Sequence, residues 1–165
     1  MRPFAWLHLR TRLPEDWERM LYSLDPAYGD LAFYSRAGKR ANLNWERVRI
    51  PRHRRGGGWA WEWTWPEEEG EDIRVSTLDP WNGLRLEWRF PAGLKAEAGD
   101  VVNACRPQEK ETRRLTLSGI RARTPTRFRP REVQVHPAHH MLSLESTDHS
   151  RLVYRRWGLP DLVLR

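Results

Sequence analysis

Apolar residues spaced two apart recur along this chain, a spacing that suits β-strands and little else. Trp59, Trp61, Trp63 and Trp65 alternate with Ala60, Glu62 and Thr64, so an extended strand carries all four indoles on one face. Leu7, Leu9, Thr11 and Leu13 alternate with His8, Arg10 and Arg12, and Leu84, Leu86, Trp88 and Phe90 repeat the period.

Turn residues divide these runs into hairpins. One is expected from Leu31 to Trp45, around Ser35 to Arg40. A second joins the tryptophan row to Ile73 and Val75 through the acidic segment Pro66 to Asp72. A third runs from Met141 to Trp157, around Thr147 to Ser150. A further strand is expected around Leu115, Leu117 and Ile120. Pro14, Glu15 and Asp16 resemble a first helical turn, and Trp17, Met20, Leu21 and Leu24 follow at helical spacing, which predicts a short helix over 14–24. A terminal turn is expected at Pro160 to Leu164. The fold class is therefore mainly β, an antiparallel curved sheet forming a sandwich or half-barrel, with one short N-terminal helix.

The 165 residues suit a single β-rich domain, 1–165, able to bury roughly 70% of the surface its unfolded chain exposes. An echo runs through it. Leu84, Leu86, Trp88, Phe90, Pro91 and Leu94 match Leu7, Leu9, Thr11, Leu13, Pro14 and Trp17 at an offset of 77. An internal repeat of 4–50 and 81–160 would explain this; so would chance, since strands that exit through proline are common.

Cys105 is the single cysteine, so no internal disulfide forms, and no secretory signal opens the chain. Charged residues interrupt every apolar run well before the ~20 residues a bilayer crossing needs. A soluble, cytoplasmic protein that does not enter membranes is expected. Net charge is +7, and arginine supplies 26 of the 29 basic residues. That bias suits phosphate or aromatic partners and equally a solvated basic surface.

Three clusters invite a chemical reading. Arg52, Arg54 and Arg55 lie in a glycine-rich loop, and Arg121, Arg123, Arg127, Arg129 and Arg131 in what reads as a proline-arginine loop; both could contact a polyanion. The tryptophans at 59, 61, 63 and 65 would stack bases or pyranose rings if exposed, although a polar opposite face makes them candidates for core instead. His136, His139, His140 and His149 are the only grouping with metal-ligand chemistry, and their spacing fits no familiar site, so no metal and no cofactor are expected.

Enzymatic signatures are missing. No Gly-x-Ser-x-Gly elbow, His-Glu-x-x-His motif, dinucleotide fingerprint or phosphate loop occurs. The sequence thus points to a noncatalytic binding or scaffold domain with a protein partner or self-association. Alternatives are single-stranded nucleic-acid or polyanion binding through the arginines, and carbohydrate binding through the tryptophans. An interaction module should present an exposed apolar patch or an unpaired strand edge.

Overall fold

The computed structural model describes residues 1–50, 59–65, 71–80, 82–109 and 111–157, with the backbone alone for 19–22. Within these, the chain divides into two compact units: residues 1–3 with 11–105, and residues 4–10 with 106–165. All strand pairings between neighbours are antiparallel, as the alternation predicts, and the sheets are open.

The first unit holds a six-stranded sheet. Strands β3 (Glu18–Tyr22), β4 (Tyr28–Tyr34), β5 (Arg40–Arg47), β6 (Glu62–Thr64), β7 (Asp72–Asp79) and β8 (Leu84–Pro91) lie in the order β3-β4-β5-β8-β7-β6. Register places Leu31, Leu43, Trp88 and Val75 in one row across the sheet, each buried. Phe33 and Phe90 stack on Trp88, with centroids 5.6 and 5.4 Å away, and Trp17 packs on Phe90 at 6.2 Å. Helix α1 (Lys95–Asn103) buries Ala98, Val101 and Val102 and packs against β8. The Thr11 hydroxyl donates to the Val101 carbonyl at 2.6 Å, satisfying one of the carbonyls left open at a helix end.

The second unit is built from two smaller pieces. Strands β10 (Thr112–Leu117) and β11 (Ile120–Pro125) form a hairpin whose two turn residues, Ser118 and Gly119, have φ of 38° and 87°, the left-handed pair that a tight hairpin demands. Strands β12 (Arg129–His136), β13 (His139–Glu145) and β14 (Arg151–Trp157) form a meander in that order. A further sheet has the order β1 (Arg2–Trp6), β2 (Leu9–Leu13), β9 (Arg106–Pro107), with Leu9 and Arg10 paired to Pro107 and Arg106. The Gln108 amide links the two pieces of backbone beside it, donating to Leu9 O at 3.3 Å and Arg114 O at 2.6 Å.

Three expectations are corrected. The single strand expected around Leu115, Leu117 and Ile120 turns at Ser118 and Gly119, so that Ile120 belongs to β11 and pairs with Leu117. Residues 18–22 form β3, not a helix, and the one α-helix among the described residues lies at 95–103. The cause is a β-bulge between Arg19 and Leu21, which adds a residue to the strand and breaks its even spacing. Four apolar positions over two turns would in any case give a helix too short to stand without strong packing. The segment 121–131 is likewise not a loop. It is mostly strand, because Pro125 ends β11 and Pro130 sits where the β12 register shifts, positions that release proline from the ladder. The expected hairpins at 31–45, 59–75 and 141–157 are all present, as β4–β5, β6–β7 and β13–β14. Residues 51–58 and 160–164 fall outside the described residues.

The meander β3-β4-β5 reappears in β12-β13-β14, residue for residue, 111 positions later. Glu18 pairs with Tyr34 as Arg129 pairs with Glu145, and Tyr28 with Glu46 as His139 with Trp157. The bulge recurs between Pro130 and Glu132. Trp17 N–H donates to Pro14 O, as Phe128 N–H does to Pro125 O. Positive φ recurs at Gly38 and His149, and at Leu7 and Ser118.

In the β13–β14 turn the Ser146 hydroxyl and the Ser150 N–H both donate to Asp148. The Ser146 bond first, then the Ser150 backbone and side chain and the charge of Arg127, lower the Asp148 pKa from 3.8 to about 2. A depressed carboxylate contributes stability above its unfolded value and loses it as pH falls through the folded one. The turn should therefore hold at pH 5 and loosen between pH 4 and 2, with the Asp148 carboxyl resonance titrating near 2 in NMR. Titration near 3.8 would mean that the turn's hydrogen bonds do not hold the carboxylate.

Candidate functional site

The arginines of the second cluster are spread over strands and mostly engaged. Arg121 and Arg123 project from the outer face of β11, opposite Thr116 and Arg114 on β10. Directly opposed like charges repel. Glu109 offsets this, with Oε1 3.5 Å from Arg114 and 4.0 Å from Arg10, and Oε2 3.1 Å from Arg123. The Thr112 hydroxyl donates to the same carboxylate at 2.8 Å; it and the three guanidiniums hold the Glu109 pKa below its usual range, against some desolvation. Arg127 lies over the Phe128 ring at 5.3 Å, and Arg131 meets Glu145 at 3.6 Å. Arg129 stands near the half-buried Arg113, whose pKa is lowered by burial and then by that neighbouring charge. Arg52, Arg54 and Arg55 lie outside the described residues, so the structure does not bring the two clusters together.

The tryptophan row is neither buried core nor an open platform. Trp63 lies opposite Val75 on the core side of the sheet, but among the described residues β6 has a single neighbour, so its indoles sit at the sheet's rim. Trp59, Trp61 and Trp63 are half-buried and Trp65 is 46% exposed. Their faces are occupied by one another: Trp63 stacks on Trp65 at 5.1 Å, Trp59 meets Trp61 edge-on at 5.7 Å, and the Lys95 ammonium lies 4.5 Å from the Trp65 ring.

The histidines do not converge. His136 and His139 are cross-strand partners, His140 Nδ1 lies 2.9 Å from the Ser118 carbonyl, and His149 contacts Glu145 at 3.2 Å. Among the described residues no three His, Cys, Asp or Glu side chains gather closely enough to hold a metal ion. Cys105 is buried, with its thiol donating to Val101 O. A shallow hollow of about 190 Å³ on the outer face of β5 and β8 is lined by Asn44, Trp45, Glu46, Arg85, Glu87 and Arg89. Its charges are already paired, Arg85 to Glu46 and Arg89 to Glu87, both at 2.6 Å.

A different surface stands out once register is known. Strand β14 pairs with β13 on one side, and among the described residues no strand is hydrogen-bonded to its other edge, although β11 packs close to it. Leu152 and Tyr154 lie on the core side opposite Leu144 and Leu142, yet remain half-buried. On the opposite side Val153 is 42% exposed and Trp157 71%, although the indole stacks on His139 at 4.3 Å. Arg151 is held by Ser143 at 2.8 Å and Glu132 at 3.4 Å, and Arg156 donates to Ser118 O at 3.0 Å. Sequence reading finds this strand but not its exposed edge, because neighbours of neighbours are invisible to local periodicity. No helix among the described residues is long and apolar enough to cross a membrane. Compared with family models, curated proteins and solved structures, the chain matches none.

Proposed function

We propose that this chain is a noncatalytic protein-interaction domain whose contact surface is the outer edge of β14. The observation that carries this is a seven-residue strand edge that is unpaired among the described residues and flanked by exposed Val153 and Trp157. An open row of backbone donors and acceptors is a template for another strand, and natural proteins usually shield it with short length, charged side chains or proline. β14 is seven residues long and has no proline; its charges are the arginines at 151, 155 and 156, of which Arg151 and Arg156 are engaged within the fold. Tryptophan and arginine, both present here, are also the residues that most often dominate binding energy at interfaces.

Nucleic-acid or polyanion binding has less behind it, since Arg123, Arg127 and Arg131 already have partners within the fold. Carbohydrate stacking is disfavoured by the mutual packing of the tryptophans.

Purified gently from its own cells, the wild-type chain is expected to elute in a complex larger than one copy. The double variant Val153→Ser, Trp157→Ser should elute as one copy while staying folded, with only a small fall in Tm, because Trp157 is largely exposed and Val153 is partly so. A wild type that elutes alone would overturn the reading.

A further inference from the structure

The chain contains two copies of one strand plan, and the first copy shows what the second lacks. Residues 18–46 and 129–157 correspond in register without a gap, and the strands before them, 2–6 and 9–13 against 112–117 and 120–125, keep the same offset to within a residue. The sequence agrees at Pro14 and Pro125, Pro26 and Pro137, Ala27 and Ala138, Leu31 and Leu142, Ser35 and Ser146, and Arg40 and Arg151. Even the buried pattern carries over: Trp17 and Phe128, Phe33 and Leu144, and Ser35 and Ser146 are buried in each. Within the second unit, Ala5 N–H donates to Thr116 Oγ1 at 3.2 Å, so a residue meets its own counterpart.

In this correspondence β14 is the counterpart of β5. The outer edge of β5 is covered by β8, running antiparallel with Leu43 opposite Trp88 and Trp45 opposite Leu86. Under that cover Ala41, Leu43 and Trp45 are 0%, 2% and 4% exposed. Their counterparts on β14 are Leu152, Tyr154 and Arg156, which have no hydrogen-bonded covering strand among the described residues and remain half-buried or exposed.

Resting on the reading of the chain as an interaction domain, we infer that the β14 edge receives one extended, antiparallel strand from a partner protein, alternating apolar with acidic residues, in the place that β8 takes beside β5. Apolar side chains would complete the core side at Leu152 and Tyr154. Carboxylates would face Arg151 and Arg155, which lie on the opposite side with Val153 and Trp157, while Arg156 stays on the core side and donates to Ser118 O; the strand itself bears no acidic residue. The same charge argues against a second copy as occupant, because pairing β14 with itself would bring six guanidiniums onto two adjacent strands, with no carboxylate on either. Strand addition of this kind takes affinity from main-chain hydrogen bonds and specificity from alternate side chains.

The probe is a synthetic octapeptide of alternating leucine and glutamate, titrated against the full chain with amide hydrogen exchange as the readout. Binding should slow exchange at alternate amides of residues 151–157. Replacing glutamate by lysine in the peptide, or methylating every second peptide nitrogen, should weaken binding at least about tenfold. If the methylated peptide binds as well as the parent, strand pairing fails. An elution test that still gives a Trp157-dependent complex would then leave the interaction domain standing with a different contact mode. Equal binding of the lysine peptide overturns the acidic partner. A chain ending at Trp157 that binds the probe when the full chain does not would assign the edge to residues 158–165, and the partner strand would be refuted.

Discussion

Trp17→Ala should cost about 3–5 kcal/mol in urea denaturation, the range for truncating a large buried aromatic. Trp17 is 2% exposed and packs on Phe90, which stacks on Trp88, which stacks on Phe33; removing the indole opens a cavity at the end of that row. Its backbone also closes the turn from Pro14. Trp17→Phe should lose much less, because the second copy uses Phe128 at the same place, 5% exposed. A loss below about 1 kcal/mol for the alanine variant would mean that the side chain contributes no core packing.

How much of this was legible in the sequence follows from which physical signals are local. Alternation locates β2, β5, β7, β8 and β10, which bury every second residue, and it marks β4, β13 and β14 as well, although β4 and β13 are buried on both faces and β14 on neither. The helix was legible too: Leu94, Ala98, Val101 and Val102 are spaced by four, three and one, and all are buried. The echo at an offset of 77 is no guide to it, because Leu94 there aligns with Trp17, which precedes a strand, whereas Leu94 precedes the helix. The bulge at 19–21 disguised β3, and prolines at 125 and 130 disguised the ends of two strands, since bulges and strand ends are defined by pairing with residues far along the chain. The state of the tryptophan row could not be read locally either. Trp63 alternates as a core strand should, but it is half-buried because β6 is the outermost strand.

The exposed edge of β14 has the same explanation in a sharper form. The segment Arg151–Trp157 reads as a good strand, and so does Arg40–Arg47. Nothing within either says that β8 will lie beside one and leave the other open. The contrast emerges only when register aligns the two meanders, and it turns Leu152 and Tyr154 from ordinary half-buried residues into positions whose counterparts are fully covered.

The two copies also differ in how they fill one site in the core, which leads to the second large expected effect. Gly29 lies opposite Trp45 on the core side of β4 and β5, and the Trp45 indole N–H donates to Asp25 O at 2.9 Å. A Cβ at Gly29 would overlap the Ser23 side chain and stand 2.7 Å from the Trp45 ring. In the second copy the counterparts are His140 and Arg156, so a larger residue sits at the glycine's place where the indole is absent. Gly29→Ala should therefore destabilise by about 1–3 kcal/mol, the cost of overpacking a filled core. If the indole sets that cost, Gly29→Ala combined with Trp45→Leu should lose less than the two single variants together by about 1 kcal/mol or more. Additive losses would place the constraint on Ser23 and the backbone of β4, and the exchange of Gly29 and Trp45 for His140 and Arg156 would no longer be a matched pair of changes.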